Sequence, residues 1–167
     1  GWADKVIVAS HVIEIHMVDD FRVPKAKIEF IPRGVDLEKF NFKPKPSKAV
    51  PTIGMIGRIT PLKGHRDFLK ALSILKRQKF SFKAQIIGEA SNPRYLQELL
   101  SLTEKLDLST DVIFLGHQSN ISLCLKEIDL VVFPTAYPEA FGRVIIEAQA
   151  AGTPVVATNI GGIQEII

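Results

Sequence analysis

From Thr52 onward the sequence predicts an α/β fold, a doubly wound parallel sheet. Two features of the chain carry that expectation, and composition agrees with it. Short runs of strand length alternate with stretches whose apolar residues recur at helical spacing. The short runs are largely apolar, as strands are when helices cover both faces of a parallel sheet. With 167 residues, 46% of them hydrophobic and 23% charged, the chain has enough material for a real core.

Taken in order, Lys5–Ser10 reads as a short apolar strand, and Ser10 can cap a helix over His11–Phe21 that ends before Pro24. Lys27–Pro32 is a second strand, followed by a turn at Arg33-Gly34-Val35-Asp36 and then Phe40. The stretch Phe42–Pro51 carries three prolines and three lysines and reads as a linker. The main strands are Thr52–Gly57, Lys83–Gly88, Val112–Gly116, Leu130–Pro134 and Pro154–Thr158. Helices fall over Arg66–Gln78, Pro93–Leu106, Ile121–Glu127 and Gly142–Ala151. Phe68, Leu69, Leu72 and Leu75 give the first of these one apolar face; Tyr95, Leu96, Leu99, Leu100 and Leu106 do the same for the second. Asn92 and Pro93 form a cap and first-turn pair. Gly161–Ile167 should begin one more helix.

Several function classes are disfavoured. There is no Gly-x-x-x-x-Gly-Lys-[Ser/Thr], so no P-loop, and Gly54-x-x-Gly57 falls short of a dinucleotide-binding fingerprint. His11, His16, His65 and His117 show no metal-ligand spacing, and no Asp-x-Asp occurs. His65, beside Lys63, reads equally as a phosphate neighbour or a surface residue, and Asp129 has no assigned role. The net charge of +3 is too mild to argue for nucleic acid. The basic runs Lys43, Lys45, Lys48 and Lys76, Arg77, Lys79 read as solvated faces, an anionic membrane surface being the weaker alternative. No apolar run reaches the roughly 18–20 residues that span a bilayer. The single cysteine, Cys124, excludes an internal disulfide and fits a reducing compartment; its apolar neighbours suggest a buried helix position. The opening Gly1-Trp2-Ala3-Asp4 lacks Met and a signal peptide and suggests a piece of a longer protein.

The chemistry-bearing stretch is Pro138–Pro154, read as a loop, a short helix and a stop. Val144, Ile145, Ala148 and Ala151 recur at helical spacing; Gly152 suits the position just past the helix and Pro154 ends it. The helix N-terminus offers free N–H groups to an anion. Glu139 before the helix and Glu147 inside it add hydrogen-bond acceptors on either side. That combination suits a ligand carrying phosphate and hydroxyls together, such as a nucleotide sugar. Arg58 and Lys63 follow the first main strand, beyond whose carboxyl end ligands bind in doubly wound sheets. Arginine presents a planar fork to phosphate oxygens and lysine a movable point charge.

The strings Glu-Ala-Phe-Gly and Glu-Ala-Gln-Ala-Ala-Gly-Thr-Pro-Val-Val-Ala, with Glu139 and Glu147 at their heads, resemble the paired-glutamate signature of retaining glycosyltransferases of the GT-B fold, family 4. Gly57-Arg58 through Lys63-Gly64 resembles that family's diphosphate clamp. Pro32-x-Gly34-Val35-Asp36-x-x-x-Phe40 resembles its crossing between domains, with Arg33 where asparagine is more usual. The resemblance implies that residues 1–40 are the last βαβ piece of an N-terminal domain, 41–51 a linker, and 52–167 an incomplete Rossmann-like domain for a UDP- or GDP-sugar, with no further cofactor. It also implies roles. Arg58, Lys63 and the free N–H groups near Phe141–Arg143 would hold the diphosphate and stabilise its departing charge, those of Phe141 and Gly142 lying beside Glu139. Glu139 would bind donor-sugar hydroxyls and Glu147 the ribose, with backbone around Gln118 reading the base. The acceptor, a glycan or lipid-linked molecule, would occupy the missing domain. A bacterial envelope polysaccharide or lipopolysaccharide pathway, a cytoplasmic location and peripheral membrane contact follow as expectations. A non-catalytic nucleotide-sugar-binding module and a GT-B sugar-nucleotide epimerase remain as alternatives. The chain alone should bind nucleotide weakly, transfer no sugar, and associate through its unpaired N-terminal strands.

Overall fold

The computed structural model describes residues 3–42, 44 and 46–167. Of the residues read above, Gly1, Trp2, Lys43 and Lys45 lie outside the described set. A small N-terminal unit contains β1 (Val6–Val8), α1 (His11–Asp19) and β2 (Ile28–Phe30), the two strands pairing in parallel. The main unit runs β3 (Thr52–Ile56), α2 (His65–Arg77), β4 (Lys83–Ile87), α3 (Pro93–Lys105), β5 (Val112–Gly116), α4 (Ile121–Glu127), β6 (Leu130–Phe133), α5 (Arg143–Ala150) and β7 (Val155–Ala157). Each expected strand is present, most of them trimmed by a residue or two at their ends. The C-terminal stretch departs further: Gly162–Glu165 forms a tight 3-10 turn in place of a regular helix.

The five main strands are parallel in the order β5-β4-β3-β6-β7. The winding therefore reverses between β3 and β6, and a crevice opens beyond their carboxyl ends. Burial on both faces explains the apolar runs. Ile53, Met55, Ala84 and Ile86 face α2 and α3, whose Phe68, Leu69, Leu72, Tyr95 and Leu99 complete one layer. Ile56, Ile87 and Val131 face the other way, against Leu125 of α4 and Ala148 of α5. Expected caps form: Asn92 Oδ1 accepts from Arg94 N at 2.9 Å, and Ser10 Oγ from Ile13 N at 3.3 Å. Past α5, Gly152 is left-handed (φ +71°); its N–H donates to the Gln149 carbonyl and that of Thr153 to the Ala148 carbonyl, which stops the helix.

Cys124 is only half-buried and its neighbour Leu123 is exposed, so α4 buries Leu125 where the sequence suggested Cys124. Asp129 has a structural role that the sequence did not reveal. It accepts from Thr52 N at 2.8 Å and pairs with Lys48 Nζ at 3.3 Å, fastening the segment before β3 to the start of β6. A second fastening joins the two units. Glu165 accepts from the first backbone N–H groups of α1, His11 N at 3.0 Å and Val12 N at 3.1 Å, one to each carboxylate oxygen.

Candidate functional site

The crevice holds two adjoining cavities that share Ile56, Gly57, Arg58 and Arg143. One, of about 440 Å³, is bordered by Lys63, Glu139, Phe141 and Gly142. The other, of about 610 Å³, is bordered by Gln118 and Glu147. Every site residue expected from the sequence thus borders one of two contiguous spaces, and Arg58 lies at their junction.

Local backbone explains the placement. Arg58 stands exposed between buried Ile56 and Ile59, and Ile59 N is held by the Glu89 carbonyl at 2.8 Å. Lys63 ends a 3-10 turn, Pro61–Lys63, whose Leu62 carbonyl accepts from Ala136 N and from Thr135 Oγ1. The turn lies so close to the loop after β6 that a Cβ on Gly64 would stand 1.7 Å from the Pro134 oxygen; with φ at +78°, only glycine fits. Glu139 is held through its backbone: its carbonyl accepts from Gly162 N at 2.7 Å. Gly142, also left-handed, precedes α5, and the helix start at Gly142, Arg143 and Val144 borders the first cavity.

Electrostatics divide the site. Lys63 Nζ forms an ion pair with Glu139 and lies 5.3 Å from the Phe133 ring centroid. Glu147, buried on α5, pairs with Arg143 Nε at 3.1 Å one turn earlier. Burial pushes the Glu147 carboxyl above its ordinary pKa, partly offset by Arg143 and Lys39. Arg58 has no ion pair or side-chain hydrogen bond among the described residues. The Gln118 side chain donates to the Leu115 carbonyl at 3.0 Å, fixing the loop rather than pointing a free amide into the cavity.

His65 corrects the sequence reading. It is not on the surface and borders neither cavity, but is fully buried at the start of α2. Its Nδ1 lies 3.3 Å from the Thr60 carbonyl, which can only accept, so Nδ1 carries the proton. Nε2 finds no partner among the described residues. Burial, with a contribution from the charge of Lys63, lowers its pKa to about 4. A neutral imidazole therefore props the loop that carries Lys63. Three further cations went unassigned in the sequence: Arg33 borders the first cavity, Lys39 the second and Arg143 both. The only trace of Arg33 was its departure from the usual asparagine.

Comparison with known proteins fits this geometry. D-inositol 3-phosphate glycosyltransferase of Segniliparus rotundus is 32% identical over 174 residues, covering 96% of this chain and 38% of the relative. The enzyme of that name from Mycolicibacterium smegmatis is 34% identical, covering 96% of this chain and 39% of the relative. Among solved structures, a glycosyltransferase from Rickettsia africae ESF-5 superposes with a TM-score of 0.88 at 34% identity, over 98% of this chain and 46% of that one. Anabaena Alr3699/HepE in complex with UDP and glucose gives 0.87 at 28% identity, over 99% and 47%. The chain thus spans less than half the length of these relatives. The family model for glycosyl transferases group 1 matches residues 36–167. Because that match takes in Arg58, Lys63, Glu139 and Glu147 together, the chain belongs to the glycosyl transferases group 1 family.

Proposed function

We propose that the crevice binds a nucleotide-diphosphate sugar, and that the complete protein transfers the sugar to an acceptor with retention of configuration, as a GT-B enzyme of family 4. The observation that carries this reading is the convergence of Arg58, Lys63, Glu139 and the α5 N-terminus on one cavity, joined to a second holding Glu147. Solved neighbours with UDP and glucose bound support a nucleotide-sugar donor. In this reading the smaller cavity takes sugar and diphosphate, and the larger takes the nucleoside.

The chemistry follows from charge. The sugar–phosphate bond breaks with its electron pair on the phosphate oxygen. Arg58, Lys63 and the N–H groups at the start of α5 stabilise the charge that develops there. The acceptor oxygen forms the new bond on the same face, and its proton passes to the departing phosphate. Lys63 and Glu139 pair with each other, so a bound donor would part them. Lys63 turns to the diphosphate and Glu139 to the sugar hydroxyls. Glu139 is therefore a positioning group, and the reaction has no protein nucleophile.

Residues 1–40 would belong to the acceptor-binding domain, 41–51 to the linker and 52–167 to the donor domain. The setting would be cytoplasmic synthesis of a bacterial envelope polysaccharide, with a glycan or lipid-linked acceptor and peripheral membrane contact. Among the described residues no helix is long and apolar enough to cross a membrane. The isolated chain should transfer no sugar and should associate through the N-terminal unit, where Ile7, Phe21 and Ile15 are exposed. Light scattering and a transfer assay on the chain test both points; an active monomer would refute them. The decisive test of donor binding is a calorimetric titration of UDP, GDP, UDP-glucose and GDP-mannose into the complete protein. Saturable binding of one nucleotide series is expected, and binding of neither would overturn the reading.

A further inference from the structure

Two segments far apart in sequence meet at one short turn, Gly162–Glu165. On one side the turn holds the loop of Glu139. Gly162 N donates to the Glu139 carbonyl at 2.7 Å, and a Cβ on Gly162 would stand 2.5 Å from the Ala140 oxygen. On the other side it holds the N-terminal unit. The Glu165 carboxylate accepts from His11 N and Val12 N, the first two N–H groups of α1, while Ser10 Oγ accepts from the third, at Ile13. That same Cβ on Gly162 would lie 3.1 Å from Ser10 Cβ. Ile163 anchors the turn between the two sides, buried in one cluster with Phe133 and Ile145.

Chemistry makes Glu165 the side chain on which this junction depends. A carboxylate at a helix N-terminus meets unpaired N–H groups and the positive end of the helix dipole, and both of its bonds are charge-assisted. Among the described residues, these two are the only hydrogen bonds between residues 3–42 and the main unit. Glu165 borders neither cavity of the crevice, so any effect it has on a bound donor passes through the turn.

We propose that Glu165 is a positioning residue: through the turn Gly162–Glu165 it couples occupancy of the sugar site at Glu139 to the setting of the N-terminal unit. The inference rests on the donor-site reading above, in which Glu139 holds the sugar and the N-terminal unit belongs to the acceptor side. A bound sugar steadies the Glu139 loop. The loop steadies Gly162 through its carbonyl, and Glu165 passes the constraint to α1. The acceptor-side unit is thereby held most firmly when a sugar is in place to be transferred.

The test uses the complete protein as wild type, Glu165→Gln and Glu165→Asp. Glutamine keeps the length but offers one acceptor oxygen and one N–H group to two donors, whereas aspartate keeps the carboxylate. Hydrogen exchange is followed in overlapping peptides across α1, with and without UDP, UDP-glucose, GDP and GDP-mannose, and the same ligands are titrated calorimetrically. Without ligand, exchange at the start of α1 should be about tenfold faster in Glu165→Gln than in wild type, with α2 unaffected. In wild type, the nucleotide sugar that binds should slow exchange there about fivefold, the low end of ordinary coupling between sites, and its bare nucleotide should change it by no more than about twofold. Linkage is reciprocal, so Glu165→Gln should lose that protection and bind the nucleotide sugar more weakly by the same factor, with the bare nucleotide held within about twofold. Glu165→Asp should restore part of both. Exchange at α1 that ignores the sugar in wild type, or a Glu165→Gln that binds the nucleotide sugar as tightly as wild type, would overturn the proposal and leave the donor site standing. Equal weakening of nucleotide and nucleotide sugar would also overturn it, marking Glu165 as a general support of the fold. Binding of none of the four ligands would overturn the donor-site reading, and this proposal with it.

Discussion

The two halves of the crevice are built from different kinds of structure. In the half around Glu147, the carboxylate sits on a buried helix face, while Gln118 is tied by its own side chain to Leu115. The half around Glu139 rests on loops. Lys63 closes a 3-10 turn, Glu139 precedes a helix, and the two pair with each other at about one-fifth exposure. Both halves pair their own charges, Glu147 with Arg143 one turn earlier on the same helix and Lys63 with Glu139 between two loops. One helix holds the first pair, whereas the second depends on two segments 76 residues apart. On the proposed reading a sugar diphosphate would part the loop-borne pair, and a nucleoside would leave the helix-borne carboxylate where it stands.

Acid should break the comparison most strongly, because one half depends on a buried neutral histidine. The folded-state pKa of His65 is lowered to about 4, below its ordinary 6.5. The unfolded chain therefore binds an extra proton between those values. The stability this confers is complete above pH 6.5 and is lost as pH falls through 4. Over the whole window the loss approaches about 3 kcal/mol. Chemical denaturation at pH 7 and pH 4.5 should show most of it, and His65→Leu should flatten the profile. Because the raised Glu147 carboxyl works in the opposite sense, the difference between wild type and His65→Leu is what decides: equal pH profiles for the two would exclude His65 as a source of acid sensitivity.

Arg58 stands where the halves join, so its removal should cost any phosphate-bearing ligand. Arg58→Ala should weaken nucleoside diphosphate binding by roughly 1.5–3 kcal/mol, the scale of a hydrogen bond to a charged group. Binding of the bare nucleoside should hardly move. Equal losses for both ligands would mean that Arg58 does not touch phosphate.

The finest distinction lies between the two glutamates. Glu147→Ala should weaken UDP and UDP-sugar alike, on the order of 1 kcal/mol each, because the lost contact is to ribose. Glu139→Ala should weaken the sugar-bearing donor while leaving UDP unchanged or slightly improved, since it frees Lys63. Identical titration profiles for the two mutants would abolish the division of the crevice.

Much of this was legible in the sequence. Parallel strands buried on both faces read as apolar runs, and α5 announced itself through Ile145, Ala148 and Gly152. The paired glutamates and the cations after β3 were equally visible, because each lies within a short local string. What was hidden depends on contacts between distant segments. Burial of His65 follows from the fold of the Thr60–Gly64 turn over it, and a histidine next to a lysine looks no different in sequence when it faces solvent. The purpose of Asp129 appears only once Thr52 lies beside it. Arg33 and Lys39 reach the crevice from before β3, where local patterning is silent about tertiary approach.

The bond between Glu165 and the start of α1 has a consequence for how the chain folds. Its partners are 154 and 153 residues apart, nearly the whole length of the sequence. Ser10 is a local cap, three residues from Ile13, and can close as soon as that turn forms. The carboxylate clasp must wait until residue 165 has been synthesised. Closing so long a loop carries a large entropic cost, so the clasp belongs to the last events of folding. Until then α1 is a helix with two open donors, and the order of synthesis leaves the N-terminal unit free to find its own strand pairing first.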